Sequence, residues 1–204
     1  MERNNKIQRT HNDYIHVMEC RAEELAETKE KVIYGKAITY NEKTKLFEIE
    51  GRSYYEIIDK EALKGADISD VFVKYNHNDG QMVVARSRNG SLILDNKEDG
   101  LYVEIRVANT TAGNDLYELV RTGIIDKMSF GFTIEEESYN KDESTWTVRK
   151  IKKLYEVSAV PNPAYEGTTL YARRAGEVET KRAELENLKS RALALQIKIK
   201  TNLQ

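Results

Sequence analysis

Apolar and polar positions alternate most cleanly over residues 101–107, where Leu101, Val103, Ile105 and Val107 share one face and Tyr102, Glu104 and Arg106 the other. A period of two predicts a strand buried on one side. Similar but shorter runs predict strands at Val32-Ile33-Tyr34, Leu46-Phe47-Glu48-Ile49 and residues 71–75, 82–86 and 91–94. Asn41-Glu42-Lys43-Thr44-Lys45 is expected to turn the first two into a hairpin, and Asp59 to cap a short helix over 60–64 that stops at Gly65. Between Thr111 and Gly123 the period changes: Leu116, Leu119 and Val120 fall at helical spacing, with Asn114 or Asp115 as cap and Gly123 as stop. A polar turn at Asn140-Lys141-Asp142-Glu143 then separates Thr133-Ile134 from Trp146-Thr147-Val148 as another hairpin. The strand Leu154-Tyr155-Glu156-Val157-Ser158-Ala159-Val160 ends at Pro161-Asn162-Pro163, because neither proline donates to a ladder. Many short strands with a few helices predict an α+β fold built on a mostly antiparallel, barrel-like β-sheet.

The pattern divides the chain into a polar, aperiodic leader over residues 1–17, a main domain over 18–172 and a tail over 173–204. In the tail Leu185, Leu188, Ala192, Leu195 and Ile199 repeat at spacings of three and four, as in an amphipathic helix able to self-associate. Leu193, Leu195, Ile197 and Ile199 also alternate as a strand would; helix is favoured because residues of high helix propensity begin well upstream. The net charge of −2 hides an asymmetry: from Ala172 onward eight Lys/Arg stand against four Glu, which leaves the rest of the chain acidic. An acidic main domain argues against nucleic acid as its substrate, since phosphate binding depends on clustered positive charge.

The 204 residues suffice for one sizeable core. Cys20 is the single cysteine, so an internal disulfide is excluded, and no Cys/His cluster has metal spacing. No metal and no cofactor are therefore expected. No run approaches the ~20 apolar residues of a membrane span, and the first residues lack a signal-peptide core, so a soluble protein is expected.

The most chemically suggestive segment is Met128-Ser129-Phe130-Gly131-Phe132. On a strand, Met128, Phe130, Phe132 and Ile134 point into the core while Ser129 and Gly131 share the opposite face. A serine on a rigid strand, beside a missing side chain that admits a substrate backbone, suits a nucleophile. A strand that merely carries Ser and Gly outward has the same pattern. A serine hydroxyl needs a neighbouring base at neutral pH, and imidazole can take its proton and return it to the leaving amine. His77, in Tyr75-Asn76-His77-Asn78-Asp79-Gly80, is the one histidine inside the patterned region, because His11 and His16 lie in the leader. Its alternative role is that of a structural turn residue. Glu156 interrupts a buried strand, where an ionised carboxylate must be paired. A histidine partner would make it the third member of a triad, and pairing with Arg149, Lys152 or Lys153 would make it structural. Asp126, three residues before Ser129, is the reserve for the third role.

These segments together resemble the HK97-type prohead (procapsid maturation) proteases of tailed bacteriophages. The resemblance runs from Val32-Ile33-Tyr34-Gly35-Lys36-Ala37 through Asn76-His77-Asn78, Ser91-Leu92-Ile93-Leu94, Gly100-Leu101-Tyr102-Val103 and Ser129-Phe130-Gly131-Phe132 to Val160-Pro161-Asn162-Pro163-Ala164, in the family's order and at compatible spacing. It implies a serine endopeptidase with His77 as general base and Ser129 as nucleophile, and a fold similar to herpesvirus assemblins. Assemblins carry a second histidine in the third role, so Glu156 departs from them and agrees with the phage branch. The implied substrates are the scaffold, the scaffolding segment of the major capsid protein and the enzyme itself. The implied location is the procapsid interior in the host cytoplasm. The oxyanion hole is expected near residues 162–165. A non-enzymatic scaffolding module, or a domain that docks a peptide by strand addition, is the rival reading.

Overall fold

In the computed structural model the structure describes residues 20–25, 30–78, 80, 82–161, 178, 180 and 183–190. The leader before residue 20, the Pro161-Asn162-Pro163 turn beyond Pro161 and most of the tail lie outside the described residues. Among the described residues ten strands run in chain order as β1 (Cys20–Glu24), β2 (Lys31–Thr39), β3 (Thr44–Ile49), β4 (Arg52–Ile58), β5 (Phe72–Tyr75), β6 (Ala85–Arg86), β7 (Leu92–Lys97), β8 (Gly100–Arg106), β9 (Lys127–Asn140) and β10 (Thr145–Val160). One α-helix, α1 (Thr111–Arg121), stands between β8 and β9.

The strands form two sheets, and neither closes into a barrel. The first is antiparallel, in the order β1-β2-β8-β7. The second is mixed, in the order β3-β4-β10-β5-β6 with β9 also paired to β10. β10 organises it. Antiparallel β9 covers one edge of β10 from Thr145 to Val160, while β4 and β5 run parallel to it, β4 at residues 145–148 and β5 at residues 156–159. The expected fold is thus α+β, with two open sheets in place of a barrel and two parallel pairings in a sheet expected to be mostly antiparallel.

Several local differences follow from this topology. The segment 60–64 forms successive turns rather than a helix. Asp59 Oδ1 accepts from the Glu61 amide as a cap would, yet the chain must fill the gap between β4 and β5 along β10. There the Ala62 carbonyl accepts from Ile151 N–H, and Asp67 N–H donates to the Lys152 carbonyl. These bonds to a strand compete with a helix ladder. β2 and β3 are no hairpin, because β2 pairs with β1 and β8 while β3 pairs with β4. The expected strand over 82–86 shortens to Ala85–Arg86. The two strand segments expected within 145–160 are one continuous strand, bulged between Val148 and Glu156.

α1 is capped by Thr110, whose side chain accepts from the Gly113 amide, one turn ahead of the expected Asn114 or Asp115. It ends as expected at Gly123, which takes φ +73°. Leu116, Tyr117 and Val120 bury its inner face in a core with Ile33, Ile105, Ile125, Met128 and Val157. Each such side chain contributes about 1.5–3 kcal/mol on burial. Met128 and Phe130 are buried, and Phe132 and Ile134 pack partly against the same core, as the alternation predicts. β9 is thereby locked in register, which fixes the opposite face bearing Ser129.

The chain divides into two compact units, residues 1–164 and 165–204. In the second, residues 183–190 are helical, and Leu185 and Leu188 are exposed.

Candidate active site

His77 lies just past the end of β5 in a tight turn. Asn76 and His77 both take positive φ, 51° and 54°, and the Tyr75 carbonyl accepts from the Asn78 amide at 3.1 Å. Two consecutive left-handed residues inside such a bond define a type I′ turn, which asparagine tolerates better than most residues. The Asn76 amide also donates to the Ala159 carbonyl at 3.0 Å, which ties the turn to β10. The imidazole is therefore held at a set place above β10 by backbone bonds on both sides.

Its Nδ1 is hydrogen-bonded to Glu156 Oε1. The other carboxylate oxygen, Oε2, forms an ion pair with Lys74 Nζ at 2.9 Å. Burial pushes the Glu156 carboxyl up, but the bonds to His77 and Lys74 outweigh it and hold the group below its ordinary range. Glu156 is thus an anion wedged between a histidine and a lysine. Of the structural partners considered for it, Lys153 pairs with Asp67 at 2.9 Å and Arg149 donates to Ser138. Asp126 is exposed beside Lys127, and among the described residues it makes no hydrogen bond to His77.

Ser129 is buried on β9, directly opposite Ser158 of β10. Gly131, two residues on, is opposite Glu156. The face is closed, whereas the sequence led us to expect Gly131 to leave room there for a substrate backbone. A Cβ at Gly131 would stand 2.8 Å from Glu156 Cγ and 3.1 Å from Oε1, so the missing side chain makes room for the carboxylate rather than for a substrate. Since Oε1 lies against Gly131 and carries the imidazole, and Ser129 is one dyad step along the same face, the three candidate residues converge on one surface of β9 and β10. His77 Nε2 is buried and has no hydrogen-bond partner among the described residues. Among the described residues no hydrogen bond joins it to Ser129, and catalytic hydrogen bonds often tighten only when substrate binds.

Gly131→Ala is expected to force the Glu156 side chain aside, with an overpacking cost of about 1–3 kcal/mol in a urea melt. In a Glu156→Ala background the same change should be neutral or stabilising, since the clash is gone and an extended glycine is costly by about 0.5–1 kcal/mol. Additive costs in the double variant would contradict the contact.

The lowered carboxyl of Glu156 also fixes a pH dependence. Its ionised form stabilises the fold above the unfolded carboxylate value, and this contribution is lost as pH falls through the lower folded value. The difference in urea midpoint between the parent protein and Glu156→Gln should therefore shift against the parent as pH drops below about 4.3. A difference unchanged between neutral and strongly acidic pH would remove Glu156 from the charge cluster.

A family model described as caudovirus prohead serine protease matches residues 16–183. The chain belongs to that family. No curated protein and no solved structure gives a significant match, so the likeness to herpesvirus assemblins gains no support. Membership in the prohead proteases makes a serine peptidase of the phage procapsid the coarse function, with capsid-related substrates inside the host cell. None of the helices among the described residues is long and apolar enough to cross a membrane.

Two members of this prohead protease's polar cluster escaped the sequence reading. Lys74 falls on the Phe72 side of the alternation against Val73 and Tyr75, and Ser158 shares the Glu156 face of an otherwise apolar strand. Both were legible as polar residues at positions of like parity. Which strand they would face was not.

Proposed function

We propose that Ser129 is the nucleophile, His77 the general base and Glu156 the group that orients it, in a serine endopeptidase that cleaves the scaffold or the scaffolding segment of the capsid protein, and itself. The observation that carries this reading is the Glu156–His77 hydrogen bond, with the second imidazole nitrogen without a partner among the described residues and Ser129 on the strand face that also meets Glu156.

In this reading the carboxylate accepts from Nδ1–H, which fixes the tautomer with a bare Nε2. Nε2 takes the Ser129 proton as Oγ bonds to the substrate carbonyl carbon, whose π pair moves onto oxygen. The imidazolium, stabilised by Glu156, then gives the proton to the departing amine. Water repeats the sequence on the acyl-enzyme. The oxyanion donors expected at residues 162–165 lie outside the described residues. The tail, basic and of helical character where described, is proposed to self-associate or to dock on a helical scaffold.

The test is co-expression with the capsid protein from the same phage, parent chain against Ser129→Ala, followed by intact mass measurement. Processing of capsid protein by the parent alone is expected. Equal processing by both would dismiss the nucleophile assignment. No processing by either, with no labelling of Ser129 by a fluorophosphonate, would favour the scaffolding reading.

A further inference from the structure

The β9–β10 ladder carries two bulges beside the candidate active site. Ile151 faces Ile134 and Lys153 faces Thr133, then Leu154 faces Phe132 and Glu156 faces Gly131, so Lys152 and Tyr155 are extra residues of β10 without a partner across the ladder. Bulges re-aim side chains, and they concentrate next to active sites. Here both extra residues line one cavity of about 380 Å³, together with Thr133, Ile134, Lys153 and Asp67. β9 keeps its alternation through this stretch, so Thr133 shares the face of Gly131 and Ser129. The cavity thus borders the face that bears the nucleophile.

Its charge is one-sided. Asp67, the one carboxylate of the lining, accepts from Ser69 and pairs with Lys153 at 2.9 Å, and these bonds hold it ionised, well below the ordinary carboxylate range. Lys153 is thereby compensated, whereas the Lys152 side chain is exposed and makes no ion pair or hydrogen bond among the described residues. Two ammonium groups against one carboxylate leave the cavity cationic, in a main domain that is acidic as a whole. Among the described residues β9 pairs only with β10, so its outer edge is open to an extended chain. Such a chain advances about 3.3 Å per residue, so in step with β9 it comes beside Thr133 about 13 Å, or four residues, from the bond at Ser129.

We propose that this cavity is a specificity subsite of the peptidase: it takes an aspartate or glutamate side chain of the substrate about four residues from the scissile bond, and the Lys152 ammonium receives the carboxylate. The inference rests on the reading of Ser129 as nucleophile. An ammonium donating to a carboxylate is a charge-assisted hydrogen bond, stronger than one to a neutral amide. A basic side chain at the same position would be repelled by Lys152, and an apolar one would gain no counter-charge.

The experiment uses peptides spanning a processed junction with every acidic residue replaced by its amide, and then a single glutamate restored at each position from two to six on either side of the scissile bond. kcat/KM is measured for the parent chain, Lys152→Met and Lys152→Glu, and fluorophosphonate labelling of Ser129 is followed in each. Lys152 is exposed on a bulge, so both variants should fold, and thermal melts check this. In the parent, glutamate about four residues from the bond, on one side only, should raise kcat/KM about tenfold over glutamine, and added salt should shrink the gain. Lys152→Met should remove the preference, and Lys152→Glu should reverse it toward a peptide carrying lysine at that position. A parent that labels at Ser129 and cleaves the peptides with no preference for glutamate would overturn the subsite while leaving Ser129 as nucleophile. A preference that persists in both Lys152 variants would overturn the assignment of Lys152 and its cavity. A parent whose Ser129 does not label and that cleaves none of the peptides would overturn both readings.

Discussion

Ser129→Ala and His77→Ala should each lower peptidase activity by about a million-fold, and the double variant should fall no further than either single one. The reason is that the two act in one step. Without the hydroxyl there is no nucleophile on that face, and without the imidazole a serine oxygen at neutral pH stays protonated and poorly reactive. Ser129 is opposed by Ser158 on a strand locked by Met128 and Phe130 beneath it, so alanine removes one buried oxygen and leaves the register intact. His77→Ala is less innocent, because the ring also satisfies Glu156 and the residue sits at φ 54°. His77→Asn keeps a residue that tolerates the left-handed region and isolates the chemistry from the turn. Single-turnover cleavage of a junction peptide, read by mass, checks the losses. Losses that multiply in the double variant would mean that the two residues act in different steps.

How much of this was legible in the sequence depended on the range of the interaction. The half-buried strand over 101–107, the helix before Gly123 and the inward set Met128, Phe130, Phe132 and Ile134 follow from local period alone, and the structure keeps them. The need of Glu156 for a cationic or hydrogen-bonding partner was legible too, because an ionised carboxylate cannot stand alone in an apolar strand. The identity of the second partner was not. Lys74 reaches Glu156 only because β5 runs parallel to β10, and parallel pairing of strands some eighty residues apart leaves no mark on local pattern. The division of β10 into two strand segments has a related cause. Arg149, Lys150, Lys152 and Lys153 break the apolar alternation, but the bulges between Val148 and Glu156 shift the strand's facing there while the ladder to β9 continues. Gly131 was read for the right reason with the wrong beneficiary. Close approach was needed, and the approaching group is the carboxylate of Glu156.

Glu156→Gln should lower kcat by about 10⁴-fold, less than loss of the nucleophile or base, and with little change in KM. The amide is almost the same size, so it can stay over Gly131 and beside Lys74, and the cost is electronic and tautomeric rather than steric. A carboxylate only accepts, and so enforces Nδ1–H and a bare Nε2. A glutamine can present its NH₂ to Nδ1, which places the ring proton on Nε2, where it faces Ser129 and cannot receive the serine proton. The imidazolium formed during attack also loses its counter-charge, and the Lys74 ammonium no longer faces an ionised Glu156. Lys74→Met in the Glu156→Gln background should therefore recover part of the lost rate, whereas Lys74→Met alone should reduce activity by leaving Glu156 with one partner. This sign reversal is specific to a lysine that acts through the carboxylate. The check is kcat for the four corners of that double-mutant cycle on one junction peptide. A Lys74→Met change equally harmful in both backgrounds would place the lysine on the substrate instead, and a Glu156→Gln enzyme within tenfold of the parent would hand the third role to another group, with Asp126→Asn the next variant to measure.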